Sequence, residues 1–331
     1  MAYQFKYDTV HGKYPGSVSV SLSNPDCLVI DGTEIHTHRD AAAGGDTKNP
    51  GLWSNSGVDY VVESSGKFVT YSAARSMIDV GGAKKVIITA PAKSEKTDPK
   101  GAPCKFPGVI DTLVIGVNEK VYTGENDVVS CSSCTTNGCV PLIYSLDRAF
   151  GVKQGMLSTV HAMTASQAVV DSSSKKEWRA GRAGPSNIIP STTGASKAVG
   201  IVLPHLEGKL SGVSFRVPVA DVSIVDLTLQ LERGASYKEI CEVIKRDSEG
   251  DLKGILGYTD EQVVSSDFIG DERSCIFDAN GGIALNDKFV KLLAWYDNEW
   301  GYSCRVVDVL KHVAKVDRRR REEGGGERRE G

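Results

Sequence analysis

Short apolar runs rich in β-branched residues recur through the first part of the chain. A stretch of helical composition, residues 72–79, separates the first two runs. This alternation is typical of βαβ units with right-handed crossovers, so it predicts a parallel sheet with helices packed on it. The predicted strands are residues 58–63, 84–90, 112–117 and 128–130.

The pattern changes after Cys134, where helical and longer strand-like segments follow one another. A helix is predicted over residues 137–150, with Pro141 in its first turn. Two long apolar runs predict strands of a second, mixed sheet. The remaining predicted elements are the strands 212–217 and 222–231 and the helices 237–246, 286–291 and 306–316. The sequence therefore predicts an α/β protein with a Rossmann-type parallel sheet domain and an α+β domain with a mixed sheet.

Two segments lack the pattern of a packed element. Residues 93–108 are rich in Pro and Lys and are predicted to form a surface loop. Residues 318–331 contain only Arg, Glu and Gly, a composition that cannot form a core and predicts a disordered tail.

Composition and charge exclude several functional classes. The 331 residues are 40% hydrophobic and carry a net charge of -3, which favours a two-domain globular protein and gives no reason to expect a nucleic acid or a membrane as partner. The start of the chain does not have the pattern of a signal peptide, so a cytoplasmic location is predicted. Eight cysteines are too few for a disulfide scaffold in a chain of this length, and we expect reduced thiols.

The candidate nucleophile is Cys134, which lies between a predicted strand and the following helix. The amides and dipole of a helix N-terminus stabilise a thiolate, although a buried structural cysteine is the alternative interpretation. Cys131 and Cys134 also form a CxxC. The chain has no second ligand pair for zinc, so no metal is predicted, and a dithiol redox function remains open.

A thiol nucleophile needs a base, and His161 is the candidate among six histidines. It ends a strand-like run and precedes a hydroxyl-rich stretch that includes Thr164 and Ser166, a context in which catalytic groups often occur. The other five are interpreted as surface or packing residues: His11, His36, His38, His205 and His312.

Five motifs then resemble the glyceraldehyde-3-phosphate dehydrogenase family, in the family's order. The resemblance runs from Tyr3 to Asp317 and leaves out the tail and residues 93–108, which resemble an insertion. The motifs are SCTTN at 133–137, TVHAMT at 159–164, NIIPSTTGA at 187–195, FRVP at 215–218 and WYDNEWGY at 295–302.

The resemblance implies oxidation of glyceraldehyde 3-phosphate to 1,3-bisphosphoglycerate in glycolysis, with NAD as cofactor. Cys134 matches the nucleophile that forms the thioester, and His161 matches the base. Inorganic phosphate would then release the product. The positions matching the attacking-phosphate site are Ser133, Thr135, Thr193, Gly194 and Arg216, and those matching the substrate-phosphate site are Thr164 and Ser166. The positions matching the cofactor cleft are Arg39, Ser65, Gly66, Thr89 and Asn298.

The resemblance also implies a domain division and a homotetramer. The expected units are a truncated NAD-binding domain over 1–133, a catalytic domain over 134–297, a helix over 298–317 that returns to the first domain, and the tail. The polar loop 175–184 resembles the one that packs across subunits in the family.

Two departures from the family pattern carry consequences. The Gly-x-Gly-x-x-Gly turn and its flanking strands do not occur in the sequence as given, so either the sequence is an incomplete piece of a longer protein, the interpretation we favour, or the chain is a degenerate relative. We expect weak NAD binding by the chain as written, and the sequence gives no basis for choosing between NAD and NADP. Gly138 stands where the family most often has a second cysteine, and the neighbouring thiol is Cys139. The alternatives are a catalytically impaired or moonlighting binding protein, a non-phosphorylating aldehyde dehydrogenase and erythrose-4-phosphate dehydrogenase.

Overall fold

The computed structural model describes residues 1–38, 50–93, 110–174 and 177–326. Arg39, most of the predicted loop 93–108 and the last five residues lie outside these ranges. The first segment, for which the sequence pattern predicted no elements, forms short ones. These are helix α1 (Ala2–Lys6), the hairpin of β1 (Tyr7–Asp8) and β2 (Gly12–Lys13), and an antiparallel sheet of β3 (Val18–Val20), β4 (Cys27–Ile30) and β5 (Thr33–His36).

A four-stranded parallel sheet follows, as the alternation predicts. Its strand order is β6-β7-β9-β8, and every pairing in it is parallel. The elements are α2 (Leu52–Asn55), β6 (Tyr60–Glu63), α3 (Tyr71–Asp79), β7 (Lys85–Ile88), β8 (Asp111–Thr112) and β9 (Val128–Ser130). The predicted strand 112–117 was wrong beyond Thr112, because Asn118 accepts the backbone N–H of Val114 and so closes a turn.

The strand β9 leads directly into the helix α4 (Cys134–Phe150). The helix begins three residues earlier than predicted, because the Ser133 side chain accepts the Thr136 N–H at 3.0 Å and so acts as the N-cap. The prediction that Pro141 lies in the first turn was therefore wrong. Pro141 is inside the helix.

The second sheet has seven strands in the order β11-β12-β10-β13-β16-β15-β14 and is mixed, as predicted. On β13 buried residues alternate with partly exposed ones, so one face of the sheet packs against α4, α5 and α6. The elements are β10 (Val152–His161), β11 (Ile189–Thr192), α5 (Ala195–Val202), β12 (Leu210–Arg216), β13 (Ser223–Leu231), α6 (Tyr237–Glu249), β14 (Leu256–Thr259), β15 (Cys275–Asn286) and β16 (Phe289–Tyr296).

The helix predicted over residues 286–291 was wrong. Strand β15 ends at Asn286 and β16 begins at Phe289, so two residues form a hairpin turn between them. From Phe289 to Leu292, exposed and buried residues alternate, which is the period of a strand.

The last helix, α7 (Trp300–Gly326), returns to the parallel sheet. Val309 and Val313 pack there with Ile87 and Leu113, and Asp317 accepts a hydrogen bond from Tyr122 at 2.8 Å. The prediction of disorder was wrong for residues 318–326, which continue the helix. Arg and Glu are good helix formers, and a solvated helical turn needs no core of its own. Over the described ranges, no helix is long and apolar enough to cross a membrane.

Gly138 allows α4 to pack closely on β16. A Cβ at this position would lie 2.7 Å from Cγ of Tyr296. We expect Gly138→Ala to lower the free energy of unfolding by about 1–3 kcal/mol, because overpacking outweighs the gain in helix propensity. Urea denaturation measures the change.

Gly194→Ala is the matched control, since nothing lies within 4 Å of its Cβ position and its φ of -83° suits alanine. Equal denaturation midpoints for Gly138→Ala and the unsubstituted chain would show that the tyrosine ring shifts without penalty.

Candidate active site

The candidate residues gather at one edge of the parallel sheet. Ser65 and Gly66 follow β6, Thr89 follows β7 and Cys134 follows β9. The carboxyl ends of parallel strands meet at the same edge, where α/β proteins bind their ligands. The topology therefore brings the predicted cofactor positions and the predicted nucleophile to one side of the sheet.

The turn that presents Cys134 is fixed by hydrogen bonds from outside it. Ser132 has a φ of 58°, a left-handed conformation that is uncommon for a residue other than glycine. The amide of Asn137 donates to the carbonyl oxygens of Cys131 at 3.0 Å and Ser133 at 2.9 Å, and the Tyr302 hydroxyl donates to the carbonyl of Ser132 at 2.9 Å. These bonds hold the strained turn, and so they set the position of the thiol.

The imidazole of His161 faces this thiol. Cys134 Sγ lies 3.5 Å from His161 Nε2, within hydrogen-bonding distance for sulfur. His161 is the last residue of β10 and pairs with Arg216, the last residue of β12. Three sequence-predicted residues from three separate elements therefore meet.

The surroundings of His161 disfavour its protonated form. Burial and the charge of Arg216 lower the pKa of His161 to about 4, although the Ala162 carbonyl opposes the shift. Nδ1 lies 2.8 Å from both the Ala162 oxygen and Arg216 Nη1. Donation from Nδ1–H to this carbonyl leaves on Nε2 the lone pair that a base needs, whereas the Arg216 guanidinium can only donate to Nδ1, so the two contacts favour opposite tautomers.

The surroundings of Cys134 also disfavour a thiolate. Burial raises its pKa, while hydrogen bonds from Thr135 and the charge of Arg216 act in the opposite direction. Desolvation thus opposes the stabilisation of a thiolate by the helix N-terminus, which stays a prediction. The second thiol of the CxxC, Cys131, is free and buried among apolar side chains, which raises its pKa to about 12.

Tyr296 connects the two elements that carry Cys134 and His161. Its hydroxyl lies 2.9 Å from Thr135 Oγ1 on α4 and 2.9 Å from Thr159 Oγ1 on β10. Its ring meets the ring of His161 edge-on, with centroids 6.0 Å apart. The hydroxyl of Thr135, predicted to bind phosphate, thus also has a structural partner.

The hydroxyl-bearing residues form separate groups around the pair. Ser133 caps α4, and Thr164 Oγ1 lies 3.0 Å from Ser166 Oγ. Thr193 and Gly194 lie immediately before α5, and Thr193 Oγ1 accepts the N–H of Ala195 at 3.2 Å.

The register of β11 and β12 separates two of the residues predicted to surround the attacking phosphate. Thr192 pairs with Val213, three positions from Arg216. At ~3.3 Å per residue, the backbone of Thr193 is thus about 10 Å or more from that of Arg216. The guanidinium of Arg216 lies beside His161, and its place at the attacking phosphate stays a prediction.

Asn298 has the environment of a ligand-binding amide. It is 7% exposed, and its Oδ1 accepts from the Ser223 hydroxyl at 2.6 Å. Its Nδ2 has no acceptor in the part of the chain that the structure describes. On the other side of the cleft, Thr89 Oγ1 donates to the Glu63 carbonyl at 3.1 Å, and the hydroxyl of Ser65 donates to the Glu63 carboxylate.

Sequence reasoning gave no role to several residues that organise the site. Tyr296 and Tyr302 occur in the motif at 295–302 and Asn137 in the motif at 133–137, so those motifs contained the signal. Ser223 accepts the N–H of Ala162 at 3.0 Å and donates to Asn298, thereby joining the base to the amide. No sequence pattern indicated that connection.

Comparisons with known proteins agree on one family. Residues 133–298 match the family described as "Glyceraldehyde 3-phosphate dehydrogenase, C-terminal domain", and residues 1–71 match "Glyceraldehyde 3-phosphate dehydrogenase, NAD binding domain". The chain is 53% identical over 317 residues to a chloroplastic glyceraldehyde-3-phosphate dehydrogenase of Guillardia theta, covering 96% of this chain and 76% of the relative.

Cytosolic and fungal relatives show the same likeness. The cytosolic glyceraldehyde-3-phosphate dehydrogenase of Craterostigma plantagineum is 52% identical over 316 residues, covering 95% of this chain and 87% of the relative. Glyceraldehyde-3-phosphate dehydrogenase 3 of Saccharomyces cerevisiae is 50% identical over 317 residues, covering 95% of this chain and 88% of the relative.

The electrostatics of the pair predict how His161 titrates. In a Cys134→Ser variant, which cannot form a thiolate, we expect the imidazole to stay neutral from pH 8 down to about pH 5, because its pKa is lowered to about 4. Arg216→Gln in the same background removes a positive charge and should raise the pKa toward, but not to, the ordinary value of 6.5. NMR titration of the ring measures both, and a midpoint above pH 6 in Cys134→Ser would contradict a lowered pKa of His161.

Proposed function

The chain belongs to the glyceraldehyde-3-phosphate dehydrogenase family, and on this basis we propose that Cys134 and His161 are its catalytic thiol and base. The family matches and relatives support an NAD-dependent glyceraldehyde-3-phosphate dehydrogenase of glycolysis. The observation that carries the residue assignment is the 3.5 Å contact between Cys134 Sγ and His161 Nε2.

The first half of the reaction joins the thiol to the aldehyde. Cys134 Sγ bonds to the carbonyl carbon of glyceraldehyde 3-phosphate, and His161 Nε2 transfers the thiol proton to the carbonyl oxygen. Nε2 then takes the hydroxyl proton as hydride departs, which leaves a thioester on Cys134. A neutral imidazole is the form that can accept this proton, and burial beside Arg216 keeps His161 neutral.

NAD supplies the hydride acceptor when it is bound. The groups that would hold it are Asn298, whose unpaired Nδ2 can donate to the nicotinamide amide, and Ser65, Gly66 and Thr89 at the strand ends. Ser223 would keep the Asn298 side chain in a fixed orientation through Oδ1.

The second half transfers the acyl group to inorganic phosphate. An oxygen of phosphate attacks the thioester carbon, the sulfur leaves, and 1,3-bisphosphoglycerate is released. Ser133, Thr135, Thr193 and Gly194 remain the proposed groups for the attacking phosphate.

Arg216 is a suitable partner for a substrate phosphate near the base. An anion there would offset its charge and raise the pKa of His161 toward its ordinary range. Thr164 and Ser166 are the other proposed contacts of the substrate phosphate.

We also propose a homotetramer in the cytoplasm. The face of the mixed sheet opposite α4 exposes apolar side chains, among them Met156 (59%), Val213 (46%) and Phe289 (40%), and an apolar face of this kind is typical of a protein interface. Cytosolic relatives support the location, although chloroplastic relatives also occur.

Loss of the base should slow acylation more than binding. We expect His161→Asn to lower the rate of the first NADH-forming turnover by roughly 10²–10⁴-fold, the usual contribution of a general base. Rapid-mixing measurement of the NADH burst gives this rate. His205→Asn is the control, because that histidine is exposed and paired with Asp147. A normal burst in His161→Asn would make His161 a packing residue.

The exposed sheet face should mediate assembly. Met156→Asp combined with Val213→Asp places charges on that face, and we expect the sedimentation coefficient to fall from that of a tetramer to that of a smaller species. Val307→Asp changes an equally exposed apolar residue on α7 and should leave assembly intact. A monomeric unsubstituted chain, or a tetramer unaffected by the double substitution, would contradict the assignment.

A further inference from the structure

Three ligand-type side chains converge next to the nicotinamide-binding residue. His11 Nε2 lies 3.3 Å from an oxygen of Asp221 and 3.4 Å from an oxygen of Asp297. His11 lies in the turn between β1 and β2, Asp221 lies before β13, and Asp297 lies after β16. One ligand atom from each of the three lies within 4.8 Å of the other two.

Asp221 is buried and lies at an ion-pair distance of 3.3 Å from His11 Nε2, but within the described part of the chain its carboxylate makes no hydrogen bond of regular geometry. Its side chain is 0% exposed. Burial, together with the nearby charge of Asp297, raises the pKa of Asp221 to about 6. A bare carboxylate of this kind is energetically unfavourable unless a cation compensates it.

The other two side chains are held in the orientation that a metal ligand needs. His11 Nδ1 lies 3.3 Å from the Asp8 carboxylate, which leaves Nε2 directed at the cluster when Nδ1 donates. Metal-binding histidines commonly have such a carboxylate behind them. Asp297 accepts the backbone N–H groups of Gly270, Glu299 and Trp300, so its carboxylate is fixed as well.

The spacing fits a tetrahedral divalent ion. Ligands bound at about 2.0–2.1 Å from tetrahedral zinc are separated from one another by about 3.3–3.4 Å. Two of the three separations in the cluster, those from His11 Nε2, are 3.3 and 3.4 Å, and the third, between the two carboxylates, is within 4.8 Å. Two carboxylates also balance the charge of a divalent ion.

We propose that His11, Asp221 and Asp297 bind one divalent transition-metal ion, Zn²⁺ by ligand type, with solvent at the fourth position. The competing occupant of the same space is a proton. Burial lowers the pKa of His11, but the hydrogen bond and charge of Asp297 and the charge of Asp221 outweigh it and raise the pKa. A protonated His11 would therefore bridge the two carboxylates if no metal binds.

The test is a Co²⁺ titration of the full chain after chelator treatment. It uses a Cys134→Ser background, because the thiol and imidazole of the active site could bind the same ion. We expect one Co²⁺ per chain with the visible bands of a tetrahedral site, no thiolate charge-transfer band, and bleaching when Zn²⁺ displaces Co²⁺. Asp221→Asn should abolish the bands.

Two further variants keep the result interpretable. Asp8→Asn leaves all three ligands in place and should weaken Co²⁺ binding by about 10–100-fold, the usual effect of removing a carboxylate behind a metal-binding histidine. Asp226→Asn changes a carboxylate on β13 that pairs with Lys291 and should bind Co²⁺ normally. The proposal would be overturned if the Cys134→Ser chain showed no visible Co²⁺ bands, or if adding Asp221→Asn left the bands unchanged. His11 would then be a protonated imidazole that bridges the two carboxylates.

Discussion

The geometry of the site depends on the hydrogen bonds of the Tyr296 hydroxyl. It lies 2.9 Å from Thr135 on the helix that begins with Cys134 and 2.9 Å from Thr159 on the strand that ends with His161. The thiol and the imidazole belong to different elements, and this pair of hydrogen bonds joins those elements within one or two residues of each reacting atom. The ring of Tyr296 packs closely against Gly138, so the position of the ring and that of the α4 backbone depend on each other.

The same region shows how burial and charge act together. The N-terminus of α4, the hydrogen bonds of Thr135 and the charge of Arg216 all favour a thiolate, yet desolvation raises the pKa of Cys134. Arg216 and burial both act against an imidazolium at His161. These surroundings disfavour both a thiolate at Cys134 and an imidazolium at His161, and an anion beside Arg216 would change the balance at both groups.

Sequence patterns predicted the elements whose residues follow one clear period. The parallel strands 58–63, 84–90 and 128–130 and the mixed-sheet strands 212–217 and 222–231 were predicted within a few residues, because alternation and β-branched runs reflect burial directly. The segment 286–291 was predicted incorrectly, since a two-residue turn between strands leaves too little sequence to distinguish the two periods. Residues 318–326 were predicted incorrectly because composition excludes a core but not an exposed helix.

The site was predictable in part for a related reason. Cys134 and His161 occur in motifs with chemical character, and the structure brings them together. Ser223 and His11 had no such context, since their partners lie far along the chain. The register of β13 and β16 places Ser223 beside Tyr296, and His11 reaches Asp221 from a separate sheet. The separation of Thr193 from Arg216 likewise follows from the pairing of β11 with β12, which no local pattern contains.

Gly138 has a further consequence for the fate of an oxidised Cys134. Residues four apart share one face of a helix, so Gly138 lies on the same face of α4 as Cys134. It has a hydrogen atom where the family most often has the side chain of a second cysteine. The neighbouring thiol, Cys139, is fully buried in the main core, and Cys131 is buried in the core of the parallel sheet. A sulfenic acid on Cys134 therefore has no second thiol on its own helix face with which to condense. The two cysteines nearest to it along the described chain are buried, so a thiol from another molecule is the more accessible partner for conversion to a disulfide, with loss of water.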